Sequence, residues 1–163
     1  MIPAIPDNFL NNRNWRADFL RAANITRGIN MTKTLKVGDR VSLSKAFTEE
    51  EVFQFAETST DKNPLHLDKE FGAASIFGER IVHGMLVASL FSGLIGMELP
   101  GQGSIYLGQT LSFKAPVRIG EEVTASVEII KIREDKPIVT LQTLCVNAEG
   151  VVVIEGEAVV KVS

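Results

Sequence analysis

The segment Thr60-Asp61-Lys62-Asn63-Pro64-Leu65-His66-Leu67-Asp68 gathers two carboxylates and an imidazole where the surrounding periodicity breaks down. Asn-Pro favours a turn, so Asp61 and His66 can face one space from its opposite ends. A carboxylate beside an imidazole is the usual equipment for proton transfer near neutral pH. Spacing alone leaves Asp68 open as the acid alongside Asp61. It also fits a loop knotted by Asx turns in which His66 only packs.

The second feature is Ile81-Val82-His83-Gly84, an apolar pair leading into His-Gly where a long apolar segment begins. The first amides of a helix lack internal partners and carry the positive end of its dipole. A glycine there lets a ligand approach closely, so the Gly84 amide is a candidate oxyanion hole for a thioester or enolate oxygen. The plainer reading is a packing glycine, with His83 as a capping or structural residue. Ser89 and Ser92 have no base partner and no G-x-S-x-G elbow, which argues against a serine nucleophile. Gly101-Gln102-Gly103 lies between a helix and a strand, the wrong context for a dinucleotide loop. With two histidines and one cysteine in the chain, no Cys/His metal set is available, and the sequence calls for neither metal nor cofactor. Cys145, in an alternating apolar stretch, reads as a buried structural thiol.

These residues need a scaffold. Val41 to Phe47 alternates as a strand after the turn Val37-Gly38-Asp39. Thr48 and Glu51 form a capping box, and Val52, Phe53, Phe55 and Ala56 supply the buried face of a short helix. Thr58 to Leu65 reads as a loop, and Asp68 caps a helical turn through Phe71 and Ala74. Gly84 to Leu99 is uncharged before Glu98 and apolar nearly all round, which predicts a helix swallowed by the protein. Four strands follow: Ser104 to Phe113, Glu122 to Arg133, Pro137 to Val146 and Val151 to Val162. The turn-rich links between them are too short for parallel crossovers. The expected fold is α+β, an antiparallel sheet wrapped around a long buried central helix. Its exposed strand edges favour a homodimer.

Composition narrows the function. The 163 residues suit one domain of ordinary size, and no apolar run is long enough to span a membrane. A net charge of -3 without a basic run gives no footprint for nucleic acid. Residues 1–32 stand apart as an extension or leader before a domain at 33–163. Arg13, Arg16, Arg21 and Arg27 outnumber Asp7 and Asp18, and Trp15, Phe19, Ala22 and Ala23 fall at helical spacing. This resembles an organelle transit peptide, though it lacks serine and carries acids; the alternative is an extension upstream of Met31. The expected location is cytoplasmic, or mitochondrial if the leader is a transit peptide.

Asp61 to Asp68 followed by Ile81-Val82-His83-Gly84-Met85-Leu86 resembles the signature of the MaoC-like, or hydratase 2, family. The similarity continues through Ser104 to Gln109, Leu111-Ser112-Phe113, Arg133 to Pro137 and Gly156 to Lys161, covering Leu35 to Val162. The resemblance implies a hot-dog fold, a dimer and an acyl-thioester substrate near the subunit interface. It selects Asp61 over Asp68 and implies that Asp61 and His66 hold one water between them. Asp61 takes a proton from that water as it attacks C3, and His66 delivers one to C2. The Gly84 amide polarises the thioester carbonyl, and Ser92 and Ile95 line the acyl pocket. The implied activity is (R)-specific hydration of trans-2-enoyl-CoA, the alternative being dehydration of 3-hydroxyacyl chains on acyl-carrier protein. A thioesterase or a passive acyl-thioester binder is the remaining reading. The first lacks an acid between Gly84 and Met97, and the second has no need of Asp61 and His66 together.

Overall fold

The computed structural model describes residues 34–162. The helix and leader expected within residues 1–32 lie outside the described residues. Five strands form one antiparallel sheet: β1 (Arg40–Ala46), β2 (Ile105–Phe113), β3 (Glu122–Ile132), β4 (Ile138–Asn147) and β5 (Val152–Lys161). Their order is β1-β3-β4-β5-β2, which leaves β1 and β2 at the edges. β3, β4 and β5 follow one another as hairpins, paired in register as Ile129 opposite Leu141 and Leu141 opposite Ala158. Alternation sends Val123, Ala125, Val127 and Ile129 of β3 to the core with Val139, Leu141 and Cys145 of β4.

The helices are α1 (Glu49–Ser59), α2 (Pro64–Leu67), α3 (Lys69–Ala74) and α4 (Gly84–Met97). The Thr48 hydroxyl accepts the Glu51 amide at 3.2 Å while the Glu51 carboxylate accepts the Thr48 amide at 2.9 Å, completing the capping box. Helix α1 buries Val52 and Ala56, one turn apart, leaves Phe55 half-buried and turns Phe53 outward. Phe53 is thus not part of the inner face; it lies about 100° around the helix from Val52. The expected loop at Thr58 to Leu65 is shorter than the sequence suggests. Helix α1 runs through Ser59, stops at the left-handed Thr60, and α2 begins at Pro64, whose lack of an amide hydrogen suits a first helical position.

Helix α4 packs against β3 and β1 and buries Val87, Leu90, Phe91, Leu94 and Ile95. It is not swallowed on every side. Met85, Ser89, Ser92, Gly93 and Met97 form an exposed stripe, because a five-stranded sheet covers one face of the helix and leaves the other. No helix among the described residues is long and apolar enough to cross a membrane.

One irregularity bears on the site. In the β4–β5 pairing Cys145 faces Ile154 and Val146 faces Val152, so Val153 is an extra residue. The bulge turns two successive side chains, Val153 and Ile154, inward, where a regular strand would turn one.

Candidate active site

Asp61 and His66 are placed by short local hydrogen bonds. The left-handed Thr60 ends α1 and turns the chain, and the Asp61 amide donates to the Ser59 hydroxyl at 3.2 Å. The Asp61 carboxylate accepts the Asn63 amide at 3.3 Å, and the Asn63 side chain accepts the Leu65 amide at 3.0 Å, capping α2. These are the Asx turns that the sequence allows, and they fix the chain between Asp61 and His66. Asp61 is exposed, and His66, five residues on and within α2, is 8% exposed.

The ring of His66 is fixed from the other side. Its Nδ1 lies 2.8 Å from the carbonyl oxygen of Ile81, which can only accept, so Nδ1 carries the hydrogen. Nε2 is therefore the nitrogen left to exchange protons. The Ile81 segment is held in turn by a bridge to Arg118 and by the Val82 amide, which donates to Val117 at 2.8 Å.

His83 occupies the N-cap of α4, but its side chain makes no capping hydrogen bond. It belongs to the site instead. Its Nε2 donates to the main-chain carbonyl of Asp61 at 3.0 Å, and its ring lies 3.8 Å, centroid to centroid, from that of His66. Burial pushes the pKa of His83 below the usual imidazole value; the hydrogen bond to the Asp61 main chain partly opposes this. One carboxylate oxygen of Asp61 and one ring nitrogen each of His66 and His83 lie within 4.8 Å of one another. Sequence reasoning missed this role of His83. The only signals were its adjacency to Gly84 and the absence of any third histidine.

These groups form the polar end of a cavity of about 420 Å³. Gly84 lines it at the start of α4, where the leading amides have no partner within the helix. The walls are apolar: Phe77, Val87, Phe113, Val117, Val153 and Ile154. The bulged pair on β5 and the Phe113 ring had no distinguishing sequence pattern. Ser92 and Ile95 lie elsewhere. Ile95 is 2% exposed in the core, Ser92 is on the exposed stripe of α4, and neither lines this cavity. The arrangement offers one acid–base pair, one amide-lined end and an apolar chamber, which suits proton transfer on a substrate with an apolar tail and a polarisable carbonyl.

The MaoC like domain family matches the chain over residues 28–149. The chain is 58% identical over 129 residues to the (R)-specific enoyl-CoA hydratase of Aeromonas caviae, covering 79% of this chain and 96% of that protein. It is 43% identical over 127 residues to the mitochondrial 3-hydroxyacyl-[acyl-carrier-protein] dehydratase of Arabidopsis thaliana, covering 76% of this chain and 75% of that one. Among solved structures, an (R)-hydratase from A. caviae involved in PHA biosynthesis is similar with a TM-score of 0.79 at 57% identity, over 80% of this chain and 99% of that chain. The fold is accordingly that of the hot-dog hydratases.

Proposed function

This chain belongs to the MaoC-like family, and from that premise we infer that it is a hydro-lyase that adds water across trans-2-enoyl-CoA to give the (R)-3-hydroxyacyl thioester. The observation that carries the reading is the fixed tautomer of His66 beside Asp61 at the polar end of an apolar cavity.

Asp61 as carboxylate and His66 as imidazolium share one proton between them. The water loses a proton to Asp61 as its oxygen bonds to C3, and the C2–C3 π electrons move toward the thioester carbonyl. The Gly84 amide faces that developing charge, and Nε2 of His66 gives its proton to C2. The proton on Asp61 then resets the pair. With Nδ1 bound to Ile81, only Nε2 can serve. General acid–base groups of this kind contribute about 10²–10⁴ in rate, and an oxyanion donor about 10²–10³.

The same pair runs the reaction backwards, so dehydration of a 3-hydroxyacyl chain on acyl-carrier protein is the second reading. The similarity to the Arabidopsis dehydratase favours it. A homodimer completes the proposal. Ile105, Tyr106, Leu107 and Phe113 are exposed on the edge strand β2, and Met85 and Met97 on α4, surfaces a second copy would cover. The acyl-pocket roles of Ser92 and Ile95 rest on the family resemblance. We place the catalytic domain at 33–163 with 1–32 as an extension, in the cytoplasm, or in mitochondria if that extension is a transit peptide. Turnover of a trans-2-enoyl-CoA that disappears in both Asp61→Asn and His66→Ala tests the assignment; turnover retained in either variant overturns it.

A further inference from the structure

We propose that His83 is a positioning residue: a neutral imidazole that pins the main chain of Asp61 and leaves the site's positive charge to His66. The inference rests on the Asp61–His66 reading above and deepens it.

The tautomer follows from the partners. A carbonyl oxygen only accepts, so the 3.0 Å contact between Nε2 of His83 and the Asp61 carbonyl places the hydrogen on Nε2. Nδ1 is buried and has no hydrogen-bond partner among the described residues. As a lone pair it goes unused; as N–H it would be a buried donor left unsatisfied, on a ring that is 1% exposed. Charging His83 therefore meets two costs before any neighbour is considered.

The neighbours add a third. The ring is tilted by 31° against that of His66 with centroids 3.8 Å apart, so two imidazolium ions would repel each other at close range. On its other contact Phe55 of α1 presents an apolar ring at 5.1 Å. The titratable groups that act on His83 are His66, which disfavours its charge, and Asp61, which favours it. Burial, with His66 acting in the same sense, outweighs the hydrogen bond and charge of Asp61, in the direction that the orphaned Nδ1 requires. Of the two stacked rings, one can carry a proton through the cycle, and the geometry gives it to His66. Because His83 also directly precedes Gly84, a single residue ties together the acid, the base and the helix amide.

The chain has two histidines, so ring-nitrogen NMR of ¹⁵N-histidine-labelled protein, assigned with a His66→Asn variant, resolves both. The expected result is that His83 carries hydrogen on Nε2 and stays neutral down through the ordinary imidazole value of about 6.5. Hydrogen on Nδ1 of the neutral ring, or His83 charging at or above that ordinary value, would overturn the proposal. In parallel, His83→Leu should lower kcat by about tenfold to a hundredfold with little change in KM, as expected for misplacement of a reacting group. His83→Gln, which keeps an N–H for the Asp61 carbonyl and cannot be charged, should recover most of that loss. Wild-type kcat in a folded His83→Leu protein, or no recovery in His83→Gln, would also overturn it. A wild type that hydrates no enoyl thioester would refute the functional reading instead, and the NMR result would still decide the state of His83.

Discussion

Gly84 lies directly beneath the ring of Phe113: a β-carbon built on Gly84 would stand 2.7 Å from Cε1 of that ring. Backbone and ring meet here at the first residue of α4, beside the cavity that both line. The clash is with a side chain at the end of β2 and not with backbone, so a shift of the ring can relieve it. Gly84→Ala is therefore expected to fold, with a thermal midpoint within a few degrees of wild type. Its kcat/KM should fall about 10²-fold, because the methyl group and the displaced ring intrude on the approach to the amide. Steady-state kinetics beside a thermal melt checks this, and undiminished kcat/KM would remove Gly84 from the oxyanion role.

For the acid–base pair, Asp61→Asn and His66→Gln should each lower kcat by about 10²–10⁴. Asn can still accept the Asn63 amide at position 61, so the local Asx turn survives and the loss is chemical. Kinetics with a matched circular-dichroism spectrum separates the two causes. Loss of the fold in Asp61→Asn would show that the residue is structural.

Stability should depend on pH through His83. Its native pKa is lowered, first by burial, while the unfolded chain keeps the ordinary imidazole value of about 6.5. Between those values the unfolded chain binds a proton that the native protein does not, so stability rises with pH across that window. The contribution is complete above the ordinary value and is lost as pH falls toward the native one. Thermal midpoints measured from pH 8 down to 5 should fall less steeply in His83→Leu than in wild type; parallel curves would contradict the assignment.

Gly156 answers a different question, that of the scaffold. A β-carbon there would lie 1.8 Å from the backbone oxygen of Thr110 on the neighbouring strand β2. No side-chain rotation relieves a clash with backbone, so Gly156→Ala has to push β2 and β5 apart. The expected cost is about 3 kcal/mol or more, read from denaturant unfolding. An unchanged midpoint would mean that the two strands are not so close.

Much of this arrangement is legible before any coordinates exist, for identifiable reasons. The capping box at Thr48 and Glu51, the turn at Asn63-Pro64 and the uncharged run after Gly84 are local signals, settled by residues a few positions apart. Asp61 and His66 share one such turn, so their proximity needs no tertiary information. His83 is different. Its stacking on His66 joins positions 17 apart in the chain, and its Nε2 contact with Asp61 joins positions 22 apart. The bulge at Val153 is equally silent, because an extra residue in an all-apolar strand leaves the composition unchanged. Phe53 misled for the opposite reason: hydrophobicity marks it as inner, while the rotation set by Val52 and Ala56 places it outside. The exposed stripe of α4 could not be read from an apolar sequence, which does not say how much of a helix one sheet can cover.

The central claim is tested most directly by incubating the purified protein with crotonyl-CoA, following the loss of enoyl-thioester absorbance and determining the configuration of the product. The account predicts rapid loss with formation of (R)-3-hydroxybutyryl-CoA, slowed about 10²–10⁴-fold in Asp61→Asn. An (S) product, release of free thiol, or no loss on crotonyl-CoA and on a longer enoyl-CoA would contradict it.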